Sequence, residues 1–266
     1  MTNMITHETE VLANEEVKPG FYHLYLSAPV LAEVATPGQF ALLRCASDNV
    51  ADPLLRRPLS FSNAFPERGE ITFLYQVRGK GTKELSRLRA GHLVDVMGPL
   101  GTGFRLPDHR QPIAIIGCGV GVAPLIYLAH YGAQKGHEVY TFLGARSRDS
   151  LLYDPILVAN STDIVVATED GSDGIKGNIT ALLKKYPHDL KMCGSAYICG
   201  PEAAMEAAAS ICNSFGVPCQ VSLESIMACG VGACLGCTCT TTRHVNYTRV
   251  CTEGPVFDAQ EVFFHG

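Results

Sequence analysis

Apolar residues between positions 7 and about 106 fall in short runs broken by turn residues. The runs at 21–26, 39–43, 71–77 and 93–97 are rich in aromatic and β-favouring side chains, and Pro37-Gly38 and Gly98-Pro99 punctuate them. Segments this short and this often interrupted predict a small antiparallel barrel. Beyond a polar stretch at 107–111 the rhythm changes. Residues 113–116, 138–143, 164–167 and 196–199 read as buried strands, while 122–134, 178–186 and 202–215 carry helical apolar spacing. Strands alternating with helices imply a parallel sheet. From Cys219 onward the chain is rich in Gly, Cys and Thr with little periodicity, so its order is expected from a metal centre rather than from a large core. The expected fold class is therefore multidomain β plus α/β, with an antiparallel barrel at 1–108, a parallel α/β domain at 109–218 and a small C-terminal domain at 219–266.

Composition narrows the function classes. A chain of 266 residues with 47% hydrophobic and 18% charged residues is globular, and its net charge of -5, without a block of Lys and Arg, excludes nucleic acid as the main partner. No basic and apolar leader opens the chain, so the expected location is cytoplasmic. Residues 112–129 carry no charge, but their glycines and Pro124 suit a strand, a tight turn and a helix, and no membrane span is expected.

Eleven cysteines are present, and five of them lie between Cys229 and Cys251. In a reducing compartment such clustering points to metal rather than disulfides. Cys45, Cys118, Cys193, Cys199, Cys212 and Cys219 are scattered among apolar neighbours, where small buried hydrophobes are expected. Cys229-x4-Cys234-x2-Cys237, followed after thirteen residues by Cys251, is the plant-type spacing of a 2Fe-2S cluster. Gly230, Gly232 and Gly236 allow the backbone to curl and aim N–H groups at the sulfurs. A zinc site also takes four thiolates, but usually as two short knuckles, so the three-plus-one layout favours iron and sulfide. Cys239 breaks this spacing if it replaces Cys237, and it is left out of the ligand set.

Two glycine turns suit dinucleotides. The run Gly117-Cys118-Gly119-Val120-Gly121 follows a strand and precedes a helix near Val122, an arrangement that lets a pyrophosphate approach the backbone, although G-x-G-x-G is not the G-x-G-x-x-G fingerprint. Upstream, Gly79-Lys80-Gly81-Thr82 precedes a helical stretch at 83–88, and Arg56-Arg57-Pro58-Leu59-Ser60 stands on a strand edge. Arg57 is suited to a phosphate, Ser60 to a flavin ring nitrogen, and Gly81 with Thr82 to a pyrophosphate.

Arg57-Pro58-Leu59-Ser60, Gly81-Thr82, Gly98-Pro99-Leu100-Gly101, Gly117 to Gly121 and Cys199-Gly200-Pro201-Glu202 together resemble the ferredoxin-NADP reductase superfamily. The stretch from Ser222 through Met227 and Cys229 to Cys234 is similar to the electron-transfer subunits of class B dihydroorotate dehydrogenases. The resemblance implies an FAD-binding barrel, a domain for NAD(H) or NADP(H), and a 2Fe-2S domain. It implies FAD contacts at Arg57, Pro58, Leu59, Ser60, Leu74, Tyr75, Gln76, Gly81 and Thr82, and nicotinamide-nucleotide contacts at Gly117, Gly119, Gly121, Cys199, Gly200 and Pro201. The implied cluster ligands are Cys229, Cys234, Cys237 and Cys251. The segment Gly144-Ala145-Arg146-Ser147-Arg148 has arginines and no acid at the strand end, so Arg146 or Arg148 suits a 2′-phosphate and NADH is left open against NADPH.

Three cofactor regions use up the chain, leaving no pocket for an organic substrate and no catalytic base of its own. The resemblance then implies one subunit of a hetero-oligomer. A flavin-containing partner oxidises dihydroorotate, electrons cross the cluster singly, and FAD reduces NAD+ in pyrimidine biosynthesis. The glycine- and threonine-rich loop at 234–242 is the expected docking face, with Val256, Phe257, Val262, Phe263 and Phe264 either joining it or packing on this chain. Two readings compete: a reductase subunit of a hydrogenase, sulfite reductase or bifurcating transhydrogenase, and a non-catalytic redox sensor or zinc-stabilised module.

Overall fold

The computed structural model describes residues 5–45, 52–242, 247–262 and 264. Its first half is an antiparallel sheet of β1 (Ile5–Lys18), β2 (Phe21–Ser27), β3 (Phe40–Leu43), β4 (Arg57–Ser60), β5 (Asn63–Phe65), β6 (Glu70–Gln76) and β7 (Leu93–Leu100), with α1 (Pro29–Val34) and α2 (Lys80–Leu85) in the connections. The strand order is β4-β3-β7-β1-β2-β6-β5. The chain itself links the two ends of this sheet. Phe61 N–H donates to Gln39 O at 3.1 Å beside β3, and Ser62 N–H donates to Thr72 O at 2.8 Å on β6. Val11, Leu24, Leu26, Leu43, Phe61, Ile71 and Phe73 fill the interior.

The longest strand, β1, has no apolar run to announce it. Only Thr9 and Val11 are buried among its described side chains, and Thr9 Oγ1 meets its hydrogen-bonding need at Val94 O, 3.0 Å away. A strand whose inward face is part hydroxyl and whose outward face is Glu8, Glu10, Glu15 and Glu16 escapes a hydrophobic pattern.

The second half is a parallel sheet of β8 (Ile113–Cys118), β9 (Val139–Ala145), β10 (Asp163–Thr168), β11 (Ile175–Lys176), β12 (Ser195–Cys199) and β13 (Cys219–Ser222). Its order is β11-β10-β9-β8-β12-β13-β16, the last being β16 (Val256–Asp258), which joins antiparallel. The connecting helices are α3 (Ala123–Gln134), α4 (Pro155–Ala159), α5 (Ile179–Lys185), α6 (Pro187–Met192) and α7 (Glu202–Ser214). Ile113 and Ile115 pack with α3 on one face, whereas Ala114 and Ile116 pack with α5 and α7 on the other. No helix among the described residues is long and apolar enough to cross a membrane.

The expected division at 219 cuts into this sheet. Cys219 and Val221 are buried in β13, beside β12, and β16 returns to pair with β13. Between them runs an excursion, 223–255, whose only ladder among the described residues is β14 (Thr238–Cys239) with β15 (Thr248–Arg249). This excursion is not without a core: Met227, Cys237, Val250 and Cys251 are buried in one cluster with Phe40, Leu42 and Leu100 of the barrel and Phe257 of the sheet. Val256 and Phe257 are likewise buried in this chain, and Val262 and Phe264 pack against the same core; Phe263 lies outside the described residues.

Candidate cofactor sites

A cleft of about 220 Å3 opens where barrel, sheet and excursion meet. Pro58, Leu59 and Ser60 of β4, Leu74, Tyr75 and Gln76 of β6 and Thr82 of α2 line it from the barrel. Val120, Pro124, Cys199 and Ser222 line it from the sheet domain, and Leu223, Glu224, Ser225 and Met227 from the excursion. Arg57 and Gly81 stand behind this lining against each other. A Cβ at Gly81 would come within 2.5 Å of Arg57 Nε, so the guanidinium occupies the space a side chain would need. One Arg57 Nη also donates to Leu55 O at 2.6 Å, which fixes the cation at the end of β4.

The segment expected as a turn ahead of a helix at 83 is the first turn of α2 itself. The cause is Thr82, whose Oγ1 accepts from the N–H groups of Arg78 at 3.0 Å and Gly79 at 3.2 Å and so caps that turn. Tyr75 lines the cleft while its hydroxyl donates to Asn14 Oδ1 at 3.1 Å; burial pushes that phenol well above its ordinary range.

A second cavity of about 830 Å3 lies over the C-terminal ends of the parallel strands. Gly119 and Gly121 after β8, Ala145 at the end of β9 with Arg146 following it, Glu169 after β10, and Gly200 and Pro201 before α7 line it, with Phe21 and Arg78 reaching in from the barrel. Gly119 has φ +56° and open space where a Cβ would stand. A Cβ at Gly121 would lie 2.6 Å from the Gly200 backbone, so the two glycine loops approach as closely as backbone allows. Gly117 is different. It is buried inside β8, where a Cβ would meet Val122 at 3.3 Å, and it serves the packing of the turn rather than the lining. Gln76, Arg78, Val120 and Glu224 belong to both linings, so the two cavities share a wall.

The thiols beside these cavities are neutral. Burial pushes Cys118 up to about 12 and raises Cys199 further still, and Cys199 Sγ donates to Ser222 O at 3.5 Å. A buried thiol of this kind is a packing group and not a nucleophile.

The excursion brings the four expected ligands near one another: Cys234 N–H points at Cys229 Sγ, and Cys251, buried in one cluster with Cys237, feels the sulfurs of both Cys237 and Cys229. Among the described residues no three His, Cys, Asp or Glu side chains converge as a single ion would need. Gly230 at φ +67°, Gly232 at φ +77° and Leu235 at φ +60° turn the loop. The N–H groups of Val231 and Cys234 point at Cys229 Sγ, at 3.5 and 3.4 Å, and Gly236 N–H at Cys234 Sγ, at 3.4 Å. Burial works against a Cys229 thiolate, but the N–H groups of Val231, Cys234 and Ala233 outweigh it and hold the thiol at about 6. Arg249 braces the loop: it donates to Gly232 O at 3.3 Å and forms an ion pair with Glu253, which that guanidinium holds at about 2. Cys239, on β14, packs partly buried against the core, and burial pushes it up to about 11.

A family model described as the iron-sulfur cluster binding domain of dihydroorotate dehydrogenase B matches residues 224–263, and one for an oxidoreductase NAD-binding domain matches 115–210. A curated relative from Desulforamulus reducens, named dihydroorotate dehydrogenase B (NAD(+)), electron transfer subunit, is 40% identical over 96% of this chain and 97% of its own length. The chain belongs to this family of electron-transfer subunits. A subunit of the same name from Bacillus cereus is 36% identical over 97% of this chain and 99% of its own. Among solved structures, an NADH-dependent reduced ferredoxin-NADP oxidoreductase studied for flavin-based electron bifurcation superposes with a TM-score of 0.86 at 28% identity, over 97% of this chain and 90% of that one. The ferredoxin reductase of carbazole 1,9a-dioxygenase, at 20% identity over 81% of this chain and 67% of that one, shares the fold with a TM-score of 0.67.

Two charged residues of the linings, Arg78 and Glu169, carry no motif and were not found by sequence, and Glu224, although inside the stretch from Ser222 to Cys234, was given no role there. The one available signal for Glu169 is that it follows a strand of the parallel sheet, on the strand next to the one that was searched for an acid.

Proposed function

We propose that the chain carries electrons between a nicotinamide nucleotide and a 2Fe-2S centre through FAD, on behalf of a partner subunit that oxidises dihydroorotate to orotate. The observation that carries this reading is the shared wall. One cavity adjoins the other at Gln76, Arg78, Val120 and Glu224, and the segment from Ser222 to Met227 that lines the first leads directly into Cys229. A flavin supplies the exchange between a two-electron nicotinamide and a one-electron cluster.

In this reading Pro58, Leu59, Ser60, Leu74, Tyr75, Gln76 and Thr82 hold the flavin, and Arg57 presents its charge through the space that Gly81 leaves open. Gly119, Gly121, Gly200 and Pro201 form the backbone cradle of the nicotinamide nucleotide, with Gly117 and Cys199 packing it from beneath. Cys229, Cys234, Cys237 and Cys251 hold the cluster, and the N–H groups on Cys229 and Cys234 offset the charge of the thiolates. The three regions then divide as a barrel, a parallel α/β domain, and a cluster excursion inserted between β13 and β16.

The partner face we assign is the cluster loop, where Ile226 is 86% exposed and Val231 and Leu235 are 40% and 44% exposed. Apolar side chains held out around a redox centre suit a docking surface. The higher identity to the dihydroorotate dehydrogenase relatives, 40% against 28% for the bifurcating oxidoreductase, favours dihydroorotate as the partner's substrate. The test uses the chain loaded with FAD and cluster. It is expected to reduce ferricyanide with NADH and to form no orotate from dihydroorotate until the catalytic subunit is added. Orotate formation by the chain alone refutes the subunit reading, and absence of dye reduction with either nucleotide refutes the reductase reading.

A further inference from the structure

We infer that Glu169 selects a ribose 2′-hydroxyl over a 2′-phosphate in the second cavity, an inference that rests on reading that cavity as the nicotinamide-nucleotide site. In parallel-sheet nucleotide folds an acid near a strand end accepts a hydrogen bond from the 2′-hydroxyl, while arginine there accommodates the phosphate. The end of β9 offers Arg146, Ser147 and Arg148 and no acid before Asp149. The structure supplies the acid from the adjacent strand: Glu169, directly after β10, lines the cavity together with Arg146.

Their juxtaposition is fixed by backbone. Glu169 N–H donates to Ala145 O at 3.1 Å, Asp170 N–H to Arg146 O at 3.2 Å, and Arg148 N–H to Ser172 Oγ at 2.8 Å. The two strand-end loops are thus zipped together. Three of their other charges are engaged elsewhere. Arg148 Nε lies 3.4 Å from Asp173 Oδ2, and Asp170 Oδ1 accepts from Ser172 N and Oγ at 2.9 and 2.6 Å. Arg146 and Glu169 are the charges these loops contribute to the cavity lining.

The balance of charge runs against a phosphate. Residues 146–149 and 169–173 carry two arginines and four carboxylates. A 2′-phosphate would bring further negative charge beside Glu169, where like charges repel, whereas a hydroxyl donates to that carboxylate in a charge-assisted bond. Of the arginines that suggest a phosphate site in the sequence, Arg148 is engaged by Asp173, and Arg146 shares the cavity lining with the Glu169 carboxylate.

The experiment titrates the loaded chain by calorimetry with ADP-ribose and with 2′-phospho-ADP-ribose, which carry the distinguishing ribose and cannot reduce the flavin. The wild-type chain is expected to prefer ADP-ribose by about tenfold to hundredfold, the range of one charge-assisted hydrogen bond. Glu169→Gln is expected to close that preference by about tenfold or more, while Asp170→Asn keeps it. A preference unchanged in Glu169→Gln, with both ligands still bound, overturns the role of Glu169 and leaves the cavity assignment standing. Binding of neither ligand by the wild-type chain overturns the cavity assignment and this inference with it.

Discussion

The parallel sheet and the cluster excursion adjoin each other, yet different forces order them. In the sheet, β8 places Ile113 and Ile115 on one face and Ala114 and Ile116 on the other, and helices cover both. Apolar burial along a regular backbone suffices there. Among its described residues the excursion has two short strands, three residues in the left-handed region, a guanidinium clamped between Glu253 and Gly232, and N–H groups aimed at sulfur. It buries Met227, Cys237, Val250 and Cys251, but two of those four are proposed ligands. Where the core of a segment is made partly of its metal ligands, losing the metal removes both the tether and part of the packing.

Breaking a single ligand gives the largest expected effect. Cys251→Ser is expected to remove most of the iron and of the visible cluster absorbance. It is also expected to raise hydrogen exchange across 224–255 while exchange in β8, β9 and β12 stays slow. Cys239→Ser is expected to change neither, because Cys239 sits on β14, partly buried against the core, and falls outside the ligand spacing. Loss of the cluster in Cys239→Ser with retention in a Cys237→Ser variant reverses the ligand assignment. Uniform exchange changes across sheet and excursion refute the contrast itself.

The same contrast explains what the sequence made legible. The helices expected at 122–134, 178–186 and 202–215 are observed as α3, α5 and α7 within a residue or so at each end, because each lays an apolar stripe on the sheet. The four cysteines stand out through their spacing, and it is their proposed role as ligands that Cys251→Ser and Cys239→Ser test. β1 was not legible, since its buried positions include Thr9, and β13 and β16 were not, since strands of four and three residues are too short to show a period. Among the site residues, glycines at tight turns were legible because Gly121 and Gly81 have neighbours where a side chain would go. The charges at Arg78 and Glu169 became visible only when folding brought loops from distant positions to one cavity.

An intermediate effect sharpens the point at which the excursion meets the barrel. Gly20 and Gly230 both have positive φ, at +77° and +67°, so alanine at either is expected to cost about 1–2 kcal/mol from the backbone alone. Gly20 has nothing within 4 Å of a built Cβ, whereas at Gly230 that atom would stand 2.6 Å from Leu42 Cδ1, and Leu42 is fully buried. Overpacking adds about 1–3 kcal/mol. Denaturant unfolding of Gly230→Ala is therefore expected to show the greater loss, and equal losses for the two variants would mean that the excursion does not press on the barrel.

The smallest expected effect concerns the contact between barrel and sheet domain, where a buried polar chain runs beside the apolar packing of Phe21, Leu74 and Tyr127. His23 on β2 is 3% exposed; its Nε2 lies 3.2 Å from Ser62 Oγ, which is 2.9 Å from Thr72 Oγ1. Its Nδ1 lies 3.1 Å from Tyr25 Oη and 3.7 Å from Asp154 Oδ2, and Asp154 caps α4 on the other side of the contact. Burial lowers the His23 pKa below 6.5, with Asp154 and Glu15 pulling it back in part. The unfolded chain therefore binds more protons than the folded one between the lowered value and 6.5. In that window stability falls as pH falls, with a slope for one proton of at most about 1.4 kcal/mol per pH unit. His23→Gln removes this titration and keeps a polar group for Ser62. Thermal unfolding followed from pH 7 to pH 5.5 is expected to show a shallower decline in the variant than in the wild-type chain. Identical slopes would mean that His23 takes up no proton on unfolding, and that the polar chain between the lobes does not respond to pH.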